Sequence, residues 1–514
     1  MTDMRSTEGS ERHPQRTIGG VRQRKEIIIS SNDFESRVAV MEDNHLVEFY
    51  SEKPGYQSLV GRIYKGKVET IVGGLEGAFV NIGLRKNAFL PLSEVPWEEF
   101  PEIQKPDPGS EAFKKRRRIA LRENQEILCQ ITKEPFGEKG VRVSSYVSLA
   151  GRYLVLLPNV NNVGISRRIT ERKERFRLGE IARNFRKKNL GFIIRTAAER
   201  ASDEELYKEA LELEKTWRQI QETQTRHPAP YLLYEEPDLI LKVVRDLFNP
   251  EVKNLFVDSH YQYQRLLDFL GKNAPRLRSR LRLYRGETPL FESFKVEDEM
   301  KKVLNRKIWL RSGGFITVDE TEALVAIDVN TGRFATEDNP ERMALLTNLE
   351  AAEEAARQIR LRDLSGLVII DFIDMSRREN ISRIVHEFRN HLRSDRAKAD
   401  FSRISEFGLL EMTRERTRSS LLQSLSEQCP SCQGSGRVLS RSEVAARMAR
   451  FFSQRSEHYK GKSVQIILAP SVADYLSTDR SELLANLAKR FGLAIKLKVE
   501  PGINPSEFKV LERR

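Results

Sequence analysis

The chain has 514 residues, 87 of them Lys or Arg against 74 Asp or Glu, and a net charge of +13. No apolar run approaches the roughly eighteen residues that span a bilayer, no hydrophobic leader opens the chain, and its three cysteines cannot build a disulfide framework. These features argue against a membrane-embedded or disulfide-stapled secreted protein and point to a cytoplasmic one of several modules, while the basic excess suits a polyanionic partner, with solubility or ribosomal contact as the bland alternative.

Residues 1–24 are polar and aperiodic, which predicts a disordered tail. Strand-like alternation follows at 27–30, 36–42 and 45–50, opening a sheet that must be completed elsewhere. Short strands at 61–68, 78–83, 86–91, 126–131 and 142–145 suggest a small barrel of the OB type. Phe79 and Phe89 stand among Lys65, Lys67, Arg85, Lys86, Lys133 and Lys139, the rings and cations that a single-stranded nucleic-acid groove uses. The same two rings would serve equally well as barrel core. Residues 92–124, with a basic run at 114–118, read as an exposed excursion, and Cys129 as a small core residue.

Apolar strands at 153–158 and 190–196 bracket a polar helix beginning near Thr170. Arg195 and Thr196, at the end of the second, could offer a guanidinium and a hydroxyl to a terminal phosphate; a salt bridge is the simpler use of the arginine. A charged helix over 202–226 presents Leu206, Ala210, Leu213, Trp217 and Ile220 on one face. After Pro228, strand-like and helical pieces, including 239–244 and 254–258, are expected to return to the sheet begun at Ile27.

Two Val- and Ile-rich runs, 321–330 and 367–374, then read as buried strands. Period-two alternation puts Leu324, Ala326, Asp328 and Asn330 on one face of the first, and Leu367, Ile369 and Asp371 on one face of the second. Between them, Asn339 caps a helix with Pro340 at its first position and Leu346, Leu349, Ala352, Ala356 and Ile359 along one side. Such a crossover makes the strands parallel neighbours, so Asp328, Asn330 and Asp371 meet at one sheet edge. Oxygen-only ligands select Mg²⁺, with Mn²⁺ as a substitute, and such a metal can activate water at a phosphodiester.

Cys429 and Cys432 form a CxxC turn backed by glycines. Structural zinc needs four ligands, so the pair reads as a half-site completed by a second chain across a two-fold axis. A redox dithiol is the rival, disfavoured because no thioredoxin-like strand and helix context is evident around it. The last 75 or so residues read as a small α/β domain.

The OB pattern followed by Gly164-Ile-Ser-Arg-Arg168, Ile194-Arg-Thr196, Ala326-Ile-Asp-Val-Asn330, Ile370-Asp-Phe-Ile-Asp374, Phe407-Gly-Leu-Leu-Glu-Met412 and Cys429-Pro-Ser-Cys432 resembles the ribonuclease E/G family over residues 26–514. The resemblance implies a multidomain α/β chain: a split RNase H-like domain (25–58 with 228–303), an inserted all-β OB-fold (59–147), a 5′-phosphate sensor region and connecting helix (148–227), a DNase I-like catalytic domain (304–426), a zinc-link (427–440) and a small α/β domain (441–514). It implies Mg²⁺ on Asp328 and Asp371 with Asn330 orienting one of them, and 5′-monophosphate binding by Arg195, Thr196, Arg167 and the Val155 backbone. RNA contacts fall to Phe79, Phe89 and Lys139, and an intersubunit Zn²⁺ to Cys429 and Cys432. The expected activity is an endoribonuclease that cuts single-stranded, A/U-rich RNA, is stimulated by a 5′-monophosphate, and serves rRNA maturation and mRNA turnover. The expected assembly is a homodimer, or a tetramer of paired dimers, without a degradosome scaffold tail. A noncatalytic RNA-binding or RNP-assembly protein is the alternative.

Overall fold

The computed structural model describes residues 24–55, 57–96, 121–135, 139–158, 160, 163–185, 190–332 and 339–513; residues 1–23 of the N-terminal tail and the basic run at 114–118 lie outside them. The chain is of mixed α/β class and divides into two compact units at Leu422.

In the first unit, β1 (Lys25–Ser31), β2 (Ser36–Glu42) and β3 (His45–Glu52) form a meander that β14 (Val252–Val257) and β15 (Leu281–Leu283) extend, in the order β15-β14-β1-β2-β3. Ile27 lies opposite Leu255 in a parallel pair, so the return to the first sheet happens as expected. It is β14 that makes it. Residues 239–244 are instead helical, within Leu239–Leu247: Asp238 accepts from the Leu241 amide at 3.1 Å, and Ile240, Val243, Val244 and Leu247 are buried at helical spacing. That helix covers Ile27, Ile29, Val38 and Val40, while Ile28, Ala39 and Met41 pack on the opposite face against Phe291 and Leu361.

Strands β4 (Ile63–Val72), β5 (Gly77–Asn81), β6 (Ala88–Pro91), β7 (Glu126–Lys133) and β8 (Arg142–Ser144) close into a five-stranded, OB-like barrel, because β4 pairs with both β5 and β7. Val68, Ala78, Val80, Leu90, Ile131 and Cys129 fill it. A smaller sheet combines β9 (Leu149–Ala150), β10 (Leu154–Pro158), β11 (Val163–Ile165) and β12 (Leu190–Ile194). It packs on the helices Arg172–Phe185 and Asp203–Arg226, the latter opened by a reciprocal capping box between Ser202 and Glu205. From there β13 (Tyr231–Tyr234) joins the outside of β4.

The last sheet of this unit contains β16 (Lys307–Trp309), β17 (Phe315–Glu320), β18 (Leu324–Asn330), β19 (Gly366–Asp371), β20 (Ala399–Ile404) and β21 (Leu409–Arg414), ordered β16-β17-β18-β19-β21-β20. Strands β18 and β19 are parallel, joined by the helix Pro340–Leu361, with Asn339 accepting from the Arg342 amide at 3.2 Å. The crossover therefore forms as read from the sequence, and Ala352, Ala356 and Ile359 of the expected face are buried with Leu349 packed beside them, but Leu346 falls outside the contact. The buried side of the helix is Ala344, Asn348, Ala351, Ala352, Ala355, Ala356 and Ile359, whereas Leu346 is 39% exposed. Small alanines let the helix approach the sheet closely, and a leucine there would hold it off.

Arg360, near the end of this helix, joins the sheet to the first one: its guanidinium reaches Glu42 at 2.9 and 3.0 Å and Glu48 at 3.2 Å, all three groups buried. In the second unit, β22 (Ser463–Leu468) lies between the parallel β23 (Ala494–Val499) and the antiparallel β24 (Phe508–Arg513), with the helices Arg441–Gln454 and Pro470–Ser477 contributing to its core. Among the described residues no helix is long and apolar enough to cross a membrane.

Candidate active site

Alternation along β18 turns Val325, Ile327 and Val329 into the core and leaves Leu324, Ala326, Asp328 and Asn330 on the open face; β19 buries Val368 and Ile370 in the same way. Because the two strands are in register, Asp328 stands opposite Asp371, with backbones about 4.8 Å apart as sheet neighbours. Asn330 Nδ2 donates to Asp328 Oδ2 at 2.8 Å, which fixes the direction of that carboxylate. Asp371 is pushed above the usual carboxylate range by partial burial and by the nearby charges of Asp328 and Asp374. Among the described residues neither Asp328 nor Asp371 is in an ion pair, and the Arg306 guanidinium, paired with Asp319, is the cation that interacts with the Asp328 charge from further off.

The donor set fits a hard cation bound in an open manner. Mg²⁺ commonly takes one or two protein carboxylates and fills its other positions with water and substrate phosphate. Among the described residues no group of three or more His, Cys, Asp or Glu is placed to hold a metal without further ligands.

The turn after β19 is held by side chains that the sequence alone did not single out. Asn348, buried in the crossover helix, accepts from the Ile373 amide at 3.0 Å and donates to the Ile373 carbonyl at 2.8 Å. Glu341, in the first turn of that helix, accepts from Ser376 N at 2.8 Å, Arg377 N at 3.2 Å and Asn380 Nδ2 at 2.7 Å. Both fasten the segment between Asp371 and Arg377 to the helix, and a cleft of about 420 Å³ opens there between Pro340, Glu341, Met343, Asp374 and Ser376. A polar residue midway along an Ala-rich helical face was the available signal for Asn348.

Of the phosphate-binding residues expected, Val155 lies on β10, Arg195 and Thr196 directly follow β12, and Arg167 follows β11. Val155 is opposite Ile193, and the Arg195 amide donates to Tyr153 O at 2.8 Å. Arg195 Nη1 also meets the Asp246 carboxylate at 2.7 Å and donates to Gly151 O at 2.5 Å, so the simpler use of this arginine, a salt bridge, is present. Burial raises the Asp246 pKa, yet Arg195 and Arg245 outweigh it and hold the carboxyl below its ordinary range. The Thr196 and Ser166 hydroxyls are 2.9 Å apart, and the adjacent Arg167 is exposed with no ion pair to a described residue.

On the barrel, closure decides what alternation could not. Ala78, Val80, Ala88 and Leu90 point inward, so Phe79 and Phe89 stand outside the core as a cross-strand pair with ring centroids 5.8 Å apart. Gly77 makes room for them: a Cβ there would lie 2.4 Å from the Phe89 ring. Lys139 is exposed. Lys65 is engaged elsewhere, by Glu126 at 2.7 Å and the carbonyls of Gln224 and His227.

Residues 148–417 match the model of the ribonuclease E/G family, and residues 428–514 match that of the RNase E/G thioredoxin-like domain. The chain is 36% identical to ribonuclease G of Escherichia coli over 488 residues and 35% identical to that of Salmonella typhimurium over 486, in each case covering 95% of this chain and 99% of the relative. The chain belongs to the ribonuclease E/G family. It is also 37% identical to ribonuclease E of Haemophilus influenzae, over 95% of this chain and 52% of that longer relative.

The second family match corrects one argument about the cysteines. A thioredoxin-like domain does accompany the CxxC pair, contrary to the expectation that this context is absent. The pair nevertheless lies in a run of turns before the helix Arg441–Gln454, not where a strand of that domain runs into a helix. Cys429 is exposed, and its thiol is held below the ordinary range by the Cys432 and Ser431 amides and the neighbouring Cys432 thiol. His458, the nearest downstream histidine, is paired with Glu512 at 2.6 Å.

Proposed function

We propose that this member of the ribonuclease E/G family is an endoribonuclease that cleaves single-stranded RNA at the Asp328–Asp371 edge. The observation that carries the reading is the in-register pairing of two exposed carboxylates, neither in an ion pair to a described residue and one of them oriented by Asn330. The names of the relatives, ribonuclease G and ribonuclease E, support the same activity. A Mg²⁺ or Mn²⁺ ion held by Asp328 and Asp371 would supply charge stabilisation at the scissile phosphate and acidify the attacking water. Asn330 keeps one carboxylate aimed outward, and Asn348 and Glu341 keep the turn after Asp371 in place.

In this reading residues 304–426 form the DNase I-like catalytic domain, and 25–58 with 228–303 the RNase H-like one. Phe79 and Phe89 stack bases while Lys139 tracks the backbone beside them. Arg195, Thr196, Arg167 and the Val155 backbone take a 5′-monophosphate, with the guanidinium held ready by Asp246. Cys429 and Cys432 form half of a Cys₄ zinc site whose other half comes from a second copy.

The test uses one fluorescent single-stranded RNA bearing either a 5′-monophosphate or a 5′-hydroxyl, with Mg²⁺ or with EDTA. Mg²⁺-dependent cutting that is faster on the monophosphate supports the whole reading. Equal rates remove the phosphate sensor, and binding without cutting removes the enzyme in favour of an RNA-binding protein.

A further inference from the structure

The open face of the acid-bearing sheet continues past Asp328 and changes character. Thr317 lies opposite Asp328, and Lys307 opposite Thr317; in the adjacent row Phe315 lies opposite Asn330, and Trp309 opposite Phe315. Residues directly paired on neighbouring strands project from the same face, so both rows share the face of the acids. Burial agrees: Ile316 and Val318 are in the core, whereas Trp309 is 62% exposed. The Trp309 and Phe315 rings meet edge to face with centroids 5.4 Å apart, and Lys307 Nζ sits 4.0 Å from one centroid and 3.5 Å from the other.

An exposed indole and a phenyl ring, joined by one ammonium, combine a surface for a flat base with a charge for its phosphate. Their row runs directly into Asn330. By sheet spacings, Phe315 is roughly 12 Å from the Asp371 backbone, two strands across and two residues along. A single strand whose phosphate rests at the acids therefore reaches the rings with a neighbouring nucleotide. The charge matches the partner as well, since the acids alone would repel an RNA backbone and Lys307 attracts it.

We infer that Trp309, Phe315 and Lys307 form a second RNA platform, separate from the barrel rings, that stacks the base of a nucleotide flanking the cleavage position and thereby sets how the strand crosses the sheet. This inference rests on the endoribonuclease reading and deepens it. Trp309 and Phe315 are positioning residues, and Lys307 contributes charge.

The test measures binding by fluorescence anisotropy in EDTA, on Asp371→Asn protein, so that no cutting interferes. The probes are a short single-stranded RNA and a set of copies with one base at a time replaced by an abasic ribose. In protein with Trp309 intact, one abasic position flanking the cleavage site lowers affinity about tenfold, the order expected for one lost stack. Adding Trp309→Ala removes the penalty at that position to within about twofold, while penalties at positions dependent on Phe79 persist, which also reports a folded chain; Trp309→Phe restores most of the penalty. An identical penalty profile with and without Trp309 overturns the platform. The endoribonuclease reading fails separately, by the wild-type protein cutting no RNA with Mg²⁺.

Discussion

Replacing Asn348 by Ala removes a side chain that touches no substrate, yet it is expected to damage both stability and turnover. The amide makes two bonds to a single residue, accepting from Ile373 N at 3.0 Å and donating to Ile373 O at 2.8 Å. Asn348 is fully buried and Ile373 half-buried. Each stranded polar group costs about 1–3 kcal/mol, and the half-buried Ile373 backbone recovers part of that from water, so the substitution should cost about 2–4 kcal/mol. The freed residue lies two positions beyond Asp371, and a misplacement on the order of 1 Å at a catalytic group lowers rate about a hundredfold. Urea unfolding gives the first quantity and steady-state cleavage the second, where kcat should fall with little change in KM. Leu346→Ala, at an exposed position two residues earlier on the same helix, is the control and should shift stability by less than about 0.5 kcal/mol. If Asn348→Ala matches that control in both unfolding midpoint and kcat, the idea that the helix holds the acid-bearing turn is wrong.

Acid stability should report the buried bridge between the two large sheets. Burial raises the Glu48 pKa, but Arg396, Arg360 and the Tyr50 hydroxyl outweigh it and bring the carboxyl to about 2, from an ordinary value of 4.5. A depressed carboxyl stabilises the fold above its unfolded pKa and loses that contribution as pH falls through the window from 4.5 toward 2. Urea midpoints of the wild type should drop across that window more steeply than those of Glu48→Gln, and equal slopes would contradict the assignment. Phe79→Ala should weaken single-stranded RNA binding about tenfold while costing under about 1 kcal/mol of stability, because the ring lies outside the barrel core. Leu90→Ala, inside that core, should cost about 2–5 kcal/mol in the same melts. Serine at both Cys429 and Cys432 should abolish zinc binding and halve the mass measured by light scattering; an unchanged dimer removes the half-site.

The acids were legible because strand alternation is a local property: Val325, Ile327 and Val329 declare the buried face, and Asp328 follows on the other. The crossover was legible for the same reason, since Asn339 and Pro340 mark a helix start by their own chemistry. What escaped depended on partners distant in the chain. Alternation alone assigns Phe79 to a face without saying which face is inside, and only barrel closure decides that. Leu346 drew attention by its hydrophobicity, although the contact surface is built from alanines that permit close packing. Asn348 stands out as a polar residue on an Ala-rich face, but its partner, Ile373, is visible only in the fold. The Asp246 partner of Arg195 comes from another helix, so the ion pair could be expected but not located. Residues 239–244 are a short apolar run, for which strand and helix periodicity are hard to separate, and the Asp238 cap resolves them as helix.

The most direct test replaces Asp328 and Asp371 singly by Asn and follows cleavage of a 5′-monophosphorylated single-stranded RNA across a Mg²⁺ titration, with RNA affinity measured in parallel in EDTA. The account predicts that either substitution lowers the rate at least about a thousandfold, equivalent to roughly 4 kcal/mol of transition-state stabilisation, while RNA affinity changes little. Cleavage by either variant within about tenfold of the wild-type rate would contradict it and move the reacting phosphate away from this sheet edge.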